Sequence, residues 1–550
     1  MMKENISRRD MLKFGGIAAA AMVGGTAVGA VVAPERAQAA PMVREGGHAK
    51  YTTAAGHQRE ELPSFLQAPD PITAIDEVRE YDVVVIGAGS GGVPCALKAF
   101  EEGASVALIQ KENKASAHGN SGSGINLEKS DPASIASLVT LLMKESQWRP
   151  NRKLVEMWAQ NSGEAVSWVI DRCKKAGAQV VDQGNLQHVP MINKYGYTLD
   201  MVTSFFGPKP YCVGDGMQAL AEYAEEQGVD VFYRTPAKQL IQASDGAVAG
   251  VIAMKPGGGY IQFNAKRGVV LATGDYQSDE EMLLYYLPDM RNFDQKQIGR
   301  TGDGHKMAVW AGGSVENIGH THMLHDFDAA PASMCNMPFL RMKMNGVRFC
   351  NELEEMSVMN NYLRSEEDSG NYTYVFDSAY MDKAAGFPGK LVDPEALRQY
   401  MPAEDVEHTG VIDSQINTWK ADTLEELAGH LKITDVGQFK KTIARWNENC
   451  ANGSDPDFGL PAQYLKAIDT PPYYGVHLKV RMSSICAGVN VNDDLEVTRS
   501  DGSPIGNLYA VGNVAGNFYG GIDYPLAVFG INLGRNYTQG YVIGKRLGGM

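Results

Sequence analysis

Apolar and polar positions fall into a compact repeating pattern from about residue 81. Tyr81-Asp82-Val83-Val84-Val85-Ile86 is a β-branched run of the kind buried on both faces of a parallel sheet, and it leads directly into Gly87-Ala88-Gly89-Ser90-Gly91-Gly92. From Val93 to Glu102 the side chains Val93, Ala96, Leu97 and Phe100 share one helical face, and Gly103 offers a stop. Ser105-Val106-Ala107-Leu108-Ile109 follows as a second short apolar run. The pattern predicts strand, glycine turn, helix and strand. Gly268-Val269-Val270-Leu271-Ala272-Thr273-Gly274-Asp275 and Leu508-Tyr509-Ala510-Val511-Gly512-Asn513 predict two more strands that end in glycine turns. Residues from Ser116 to Asn126, nearly all small, predict a second loop. From about Ile318 to Val476 the strand-helix alternation gives way to mixed Tyr, Met, Asn and acidic residues.

Gly87, Gly89 and Gly92 satisfy G-x-G-x-x-G in the setting that gives the motif meaning. The first glycine permits a tight turn, the second lets backbone N–H groups approach a diphosphate, and the third lets the helix pack on the strand. The helix N-terminus adds positive potential. At the end of the second strand, where an acid would bind ribose hydroxyls, stands Gln110. Its amide can still bond a hydroxyl, with Glu112 as a second candidate.

Length and charge narrow the reading. A chain of 550 residues exceeds one compact core and predicts two domains. With 50 Lys and Arg against 65 Asp and Glu the net charge is -15, a surface that repels phosphate backbones and excludes nucleic acid as a partner class. The seven cysteines form no C-x-x-C pair, so haem attachment and ferredoxin spacing are both missing, and a second redox centre either belongs to another protein or is absent.

The N-terminus carries Ser7-Arg8-Arg9-Asp10-Met11-Leu12-Lys13, an uncharged stretch from Phe14 to Pro34, and Ala37-Gln38-Ala39. Twin arginines, a mildly apolar middle and a small-x-small tripeptide predict a twin-arginine export signal over 1–39. The uncharged stretch is about long enough to span a bilayer, but five glycines weaken it as a membrane anchor. The expected location is the periplasm or outer face of the envelope, by a route that carries folded proteins. Residues 40–76, with Gly46-Gly47, Pro63, Pro69 and Pro71, read as a linker with little core of its own.

Together with Thr301-Gly302-Asp303-Gly304, the order of these motifs resembles the flavin subunit family of fumarate reductases, urocanate reductases and 3-oxosteroid dehydrogenases, from about Tyr81 to Leu547. The resemblance implies an α/β fold: a discontinuous, Rossmann-like FAD-binding domain over 77–317 and 477–550, with an α+β substrate cap inserted over 318–476. It implies FAD extended from the Gly87 loop to the Gly512-Asn513 turn. Contacts are expected from Gly87 to Gly92, Gln110, Lys111, Asn120, Ser121, Gly122, Ser123, Ala237, Thr273, Gly274, Asp303, Gly512, Asn513, Gly530, Asn532 and Leu533. Backbone amides of Gly530-Ile531-Asn532-Leu533-Gly534-Arg535 would face the N1 and O2 edge of the flavin.

Fumarate reductases resembling this chain carry an arginine proton donor shortly after R-F-x-N-E, a substrate histidine near the start of the last sheet segment and an arginine in N-R-L-G-G near the C-terminus. Arg348-Phe349-Cys350-Asn351-Glu352 matches the anchor motif, but Leu353 to Asn361 holds no arginine, Met482 to Cys486 no histidine, and Tyr524 to Gly530 no arginine. A dicarboxylate needs paired cationic forks, so fumarate is not the expected substrate. Tyr524-Pro525 corresponds to the catalytic phenol of the 3-oxosteroid dehydrogenases, and Tyr519, His322 and Arg341 are further catalytic candidates. His320, His322 and His325 in H-x-H-x-x-H admit three readings: metal ligands, substrate contacts or structure. The implied activity is reduction of an activated C=C bond by FAD, with electrons from a separate cytochrome or quinol-linked protein. A ring dehydrogenase of the 3-oxosteroid type and a non-catalytic flavin shuttle are the alternatives.

Overall fold

The structure, a computed structural model, describes residues 51–52, 58–59, 63–182, 195–207, 212–317, 319–325, 337–354, 356–387, 397–398, 400–406, 416–520, 524–525 and 527–550. The expected leader lies outside them. The chain divides into two units, Met1–Leu62 and Pro63–Met550. In the first, Tyr51–Thr52 pairs antiparallel with Gln58–Arg59. Everything below concerns the second.

In chain order its N-terminal part forms β1 (Glu77–Ile86), α1 (Gly92–Glu101), β2 (Val106–Ile109), β3 (Ser121–Ile125), α2 (Arg152–Lys175), β4 (Val180–Asp182) and β5 (Met201–Phe206). Then follow α3 (Val213–Gln227), β6 (Asp230–Phe232), β7 (Ala237–Gln242), β8 (Val248–Met254), β9 (Tyr260–Leu271) and α4 (Asp303–Trp310). After these come β10 (His322–His325), β11 (Leu340–Lys343), β12 (Asn371–Asp377), β13 (Thr418–Ala421), α5 (Leu424–His430), α6 (Val436–Asn452) and β14 (Tyr473–Lys479). The chain ends with β15 (Arg481–Ile485), β16 (Glu496–Thr498), β17 (Pro504–Ala510) and α7 (Ile531–Gly548).

The central sheet runs β16-β17-β9-β1-β2-β6, with β8 added antiparallel along β9 and β7 antiparallel along β8. The core pairs are parallel: Val84 faces Ala107 on β2 and Val269 on β9, and Val270 faces Tyr509 on β17. Val83, Val84, Val85, Leu108 and Val270 are buried, as β-branched and aliphatic runs in a sheet covered on both faces must be. The four strands read from sequence therefore lie side by side as β17-β9-β1-β2, and the glycine turns that follow three of them share one edge. A second, antiparallel sheet of order β11-β12-β14-β13 carries its own apolar cluster with α5 and α6, including Leu340, Val375, Phe439 and Trp446. β10 pairs antiparallel with β15, His322 opposite Ile485.

Three local expectations change. Ser121 to Ile125 is a strand, paired with β5, rather than part of a loop. Its glycines serve close approach: a Cβ on Gly122 would lie 2.3 Å from the Tyr537 ring, and one on Gly124 2.3 Å from the Ser162 carbonyl oxygen. The expected linker is tied down from Pro63 onward. Phe65 is buried against Tyr285 and Tyr286, its carbonyl accepts from the Trp310 indole, and Gln239 bonds both Asp70 and Ile72. A boundary at 476 would divide β14, which continues to Lys479.

The last helix is set against the first by small residues spaced four apart. A Cβ on Gly540 would come 2.1 Å from the Gly91 carbonyl oxygen, on Gly544 2.5 Å from that of Cys95, and on Gly548 2.5 Å from that of Ala99. The i, i+4, i+8 spacing keeps these glycines on one face, so the two helices touch backbone to backbone. Among the described residues no helix is long and apolar enough to cross a membrane.

Candidate functional site

The first glycine turn has the geometry its residues predict. Gly87 adopts φ +107°, and a Cβ there would clash with the Ala272 carbonyl at 2.4 Å. A Cβ on Gly92 would fall 1.8 Å from the Gly87 carbonyl oxygen, so the close packing of helix on turn excludes any side chain. Gly89 differs: Ser116 O, at 3.3 Å, is the one atom near its missing Cβ, which leaves its face open to a ligand. The helix is entered at Gly91 without a side-chain cap and without an acid in its first turn. Among the described residues no acceptor meets the amides of Gly89 and Ser90. Uncapped amides at a helix N-terminus beside an open glycine face form an anion cradle.

Residues predicted around this turn fall into two groups. Gln110 is buried and closes its own loop, with Nε2 donating to Lys114 O at 3.1 Å and Oε1 accepting from Lys111 N at 2.9 Å. Lys111 Nζ donates to Thr301 Oγ1 at 2.7 Å and pairs with Asp303 at 2.9 Å. Burial is the largest single influence and opposes ionisation of Asp303, but the charge and hydrogen bond of Lys111, the Thr301 hydroxyl and the Lys306 charge together outweigh it and hold the carboxyl below its ordinary value. Asp303 opens α4 behind Gly302, which is left-handed at φ +67°. Thr273 Oγ1 is buried without a partner among the described residues, beside Gly274 at φ +76°. Ala237 starts β7, opposite Ala253 of β8.

The other predicted contacts converge on the start of α7. Asn120 is exposed, Gly119 abuts Leu533, and Ser123 N donates to Gly530 O at 3.1 Å. A Cβ on Gly530 would meet Ser121 O at 2.9 Å, and Gly530 caps the helix in a left-handed conformation. Asn536 Nδ2 donates to Ser90 Oγ at 3.0 Å, tying the helix to the dinucleotide turn, and Gln539 accepts from Gly512 N at 2.8 Å. A polar chain joins the two downstream glycine turns: Arg535 donates to Asn513 Oδ1 at 2.7 Å, Asn513 to Ser484 Oγ, and Ser484 to the buried Asp275 at 3.1 Å. Burial raises the Asp275 carboxyl above its usual range.

Beside this chain lies an aromatic cluster. Tyr519 and Tyr524 are buried with ring centroids 5.7 Å apart. Tyr519 donates to Asn532 Oδ1 at 3.3 Å, and the N–H of Asn532 donates to the Tyr524 oxygen at 3.2 Å. Burial raises both phenols above their ordinary value of about 10, so both are protonated at neutral pH. The Arg535 guanidinium covers the Tyr519 ring at 5.1 Å. Sequence reasoning named Tyr519, Tyr524, Asn513 and Asn532 but took Arg535 only for its backbone amide and missed its side chain, which reads as that of an ordinary helix residue and is fully buried.

The remaining candidates have other neighbours. His322 is buried, accepts from Arg364 through Nε2 at 2.9 Å, faces His320 O through Nδ1 at 3.2 Å, and its carbonyl accepts the Tyr524 N–H at 3.2 Å. Since arginine only donates, Nδ1 carries the proton of a neutral ring, and burial pushes the imidazole down to about 4. His320 bonds Tyr276 and Glu316 O and stacks on Tyr286; the side chain of His325 lies outside the described residues. Arg341 stands on β11 of the antiparallel sheet, with contacts to Glu354 O at 3.3 Å and the Tyr374 ring at 5.2 Å. Arg348 pairs with Glu352 and Asp455 and lies against Trp446 and Phe458, which makes the R-F-x-N-E motif an internal tie.

A parallel sheet edge bearing a glycine anion cradle, and a helix start bearing buried phenols and a guanidinium, define a dinucleotide-dependent oxidoreductase. The chain belongs to the FAD binding domain family, whose model matches residues 82–526, and it is an FAD-dependent oxidoreductase acting on CH–CH groups. It is 26% identical to a vinyl phenol reductase of Lactiplantibacillus plantarum over 80% of this chain and 91% of that one. To a digoxin reductase of Eggerthella lenta it is 24% identical over 97% of both chains. Among solved structures, a flavocytochrome c3 fumarate reductase in its open conformation superposes with a TM-score of 0.64 at 24% identity, covering 86% of this chain and 78% of that one. A 3-ketosteroid-delta4-(5alpha)-dehydrogenase from Rhodococcus jostii does so with 0.61 at 20%, covering 88% and 99%. The cofactor fits the residues present: the open face of Gly89, the acceptor-less amides of the turn and the unpartnered Thr273 hydroxyl are what an extended dinucleotide diphosphate requires.

Proposed function

We propose that this protein reduces a C=C bond conjugated to a carbonyl or aromatic group in a small organic acceptor, with Tyr524 as proton donor. The observation that carries the reading is the buried Tyr524 phenol with its oxygen held by the Asn532 amide. When bound and reduced, FAD supplies the hydride. The amide enters the bond as donor, so the phenol oxygen is the acceptor there, and the proton transferred to the substrate carbon is assigned to the phenol itself. The same N–H, at the start of α7, then stabilises the phenolate. Tyr519 and Arg535 hold Asn532 from its side-chain oxygen, at 3.3 and 3.1 Å, and so position that amide. The His322 carbonyl accepts the Tyr524 N–H at 3.2 Å and so fixes the backbone of Tyr524.

The FAD contacts are proposed as read from sequence, with Gln110 holding the loop and Lys111 paired to Asp303. The domain limits are proposed as a flavin part split around a cap that ends after β14, whose closure excludes water. Export through a twin-arginine leader over 1–39, and electrons from a separate cytochrome or quinol-linked protein, complete the proposal. The similarity to vinyl phenol and digoxin reductases supports the reducing direction. Tyr524-Pro525 favours a second reading, ring dehydrogenation of a saturated ketone. Photoreduced holoprotein mixed anaerobically with enoates, enones and vinyl phenols tests the first: flavin colour returns with at least one of them and with stoichiometric saturated product. Colour returning to none of them, while oxidised enzyme is bleached by a saturated ketone, reverses the assignment.

A further inference from the structure

Arg535 is a buried cation without a counter-ion among the described residues. Its bonds go to neutral oxygens: Asn513 Oδ1 at 2.7 Å, Asn532 Oδ1 at 3.1 Å and Ala515 O at 3.3 Å. Its Nε is buried with no partner, and the rings of Tyr519 and Phe518 cover it at 5.1 and 5.4 Å. Among the described residues no carboxylate stands within ion-pair distance. Glu316, whose ionisation the Arg535 charge favours, turns both oxygens to backbone N–H groups, those of Gly488 at 3.0 Å and Asn517 at 2.8 Å. A guanidinium taken out of water without an anion costs several kcal/mol, so a counter-charge is to be expected from something that binds here.

The position says what that is. The next residue on the helix, Asn536, bonds Ser90 in the diphosphate turn, while Asn532 lies one turn, about 6 Å, toward the helix start. Asn513, which Arg535 holds, belongs to the glycine turn at the end of β17. The cation thus stands between the diphosphate cradle and the Tyr524 phenol, along the path of an extended dinucleotide. We propose that Arg535 is the charge complement of the bound flavin and raises its midpoint potential. Two-electron reduction with uptake of one proton leaves one negative charge on the cofactor at neutral pH, and the guanidinium offsets it. The inference rests on FAD binding alone and stands or falls independently of the substrate.

The test is the reduction equilibrium of purified holoprotein against a reference dye, with FAD occupancy measured alongside, for R535M and R535K. R535M is expected to keep FAD and to lose about 100-fold in the equilibrium constant for two-electron reduction, which is about 60 mV at about 30 mV per tenfold change. R535K, which keeps the charge, is expected to stay within about threefold of the parent. Equal potentials in the parent and R535M, an equal fall in both variants, or loss of FAD from both would each overturn the proposal, the last two by showing that shape and packing matter rather than charge.

Discussion

The backbone N–H of Asn532 donates to the phenol oxygen of Tyr524 at 3.2 Å, and both residues are buried. The bond links the first turn of α7 to the phenol that matches the ring-dehydrogenase motif, and it sets the first prediction. Y524F keeps the ring and the fold and removes the proton, so steady-state turnover falls about 100-fold or more, the scale of a lost general acid, while FAD content is unchanged. Because burial raises the phenol above about 10, the rate of the parent enzyme stays flat from pH 7 to 9 with respect to this group and declines only above that. Turnover of Y524F within threefold of the parent, measured with the best acceptor, would falsify the role.

The helix pair that carries the diphosphate turn makes a second prediction. Gly540 stands 2.1 Å, as a would-be Cβ, from the backbone of Gly91, and neither helix can yield without moving the turn. G540A is expected to cost about 1–3 kcal/mol by overpacking and to weaken FAD retention. G429A is the control: Gly429 lies exposed within α5 with nothing inside 4 Å of its missing Cβ. There alanine raises stability by about 0.5–1 kcal/mol. Thermal unfolding of the two variants with and without added FAD separates the effects.

What the sequence disclosed follows from the range of the forces involved. The strand, turn and helix from Tyr81 to Gly103 were legible because local periodicity and the stereochemistry of Gly87 and Gly92 fix them within a few residues. Ser121 to Ile125 was not: a Ser-Gly alternation has poor strand propensity and reads as a loop. Its extended shape is imposed by Tyr537 and Ser162, residues far away in the chain, against which only glycine fits. Phe65 was hidden in a proline-rich stretch because its partners Tyr285 and Tyr286 come more than two hundred residues later. Arg535 was hidden for a different reason. A helical arginine is normally a surface residue, and only the three-dimensional crowding of Tyr519, Phe518, Asn513 and Asn532 turns it into a buried one.

Arg348 carries a third prediction. Its guanidinium reaches Glu352 at 2.6 Å and Asp455 at 2.8 Å, all three side chains being buried, and joins the start of the antiparallel sheet region to the segment after α6. R348M leaves two buried carboxylates without a cation and is expected to cost about 3–5 kcal/mol. The triple change R348M/E352Q/D455N recovers much of that loss, since it removes both buried charges while an amide oxygen remains as acceptor for the backbone N–H groups of Asp457 and Leu460. Chemical denaturation of both variants distinguishes an internal tie from a substrate contact. A substrate contact would lose affinity with stability unchanged.

His322 gives the last prediction its sign. Its neutral ring accepts from Arg364, and burial holds its pKa at about 4 in the folded chain against about 6.5 unfolded. Between pH 6.5 and 4 the unfolded chain therefore binds a proton at this residue that the folded chain refuses, and stability drains away as the pH falls through that window. Full desolvation at this depth corresponds to about 3 kcal/mol, from about 1.4 kcal/mol per pKa unit. H322Q keeps an acceptor for Arg364 but cannot titrate. Whatever constant penalty the substitution carries, the difference in unfolding free energy between H322Q and the parent must shift in favour of the variant as the pH is lowered from 7 to 4. Buried carboxylates such as Asp275 and Glu316, raised by burial, act in the opposite direction but contribute equally to both proteins and cancel in the comparison. A difference that stays constant across the window would mean that His322 takes up its proton in the folded chain as readily as in the unfolded one, and with that the Arg364 bond to its Nε2 would have to be redrawn.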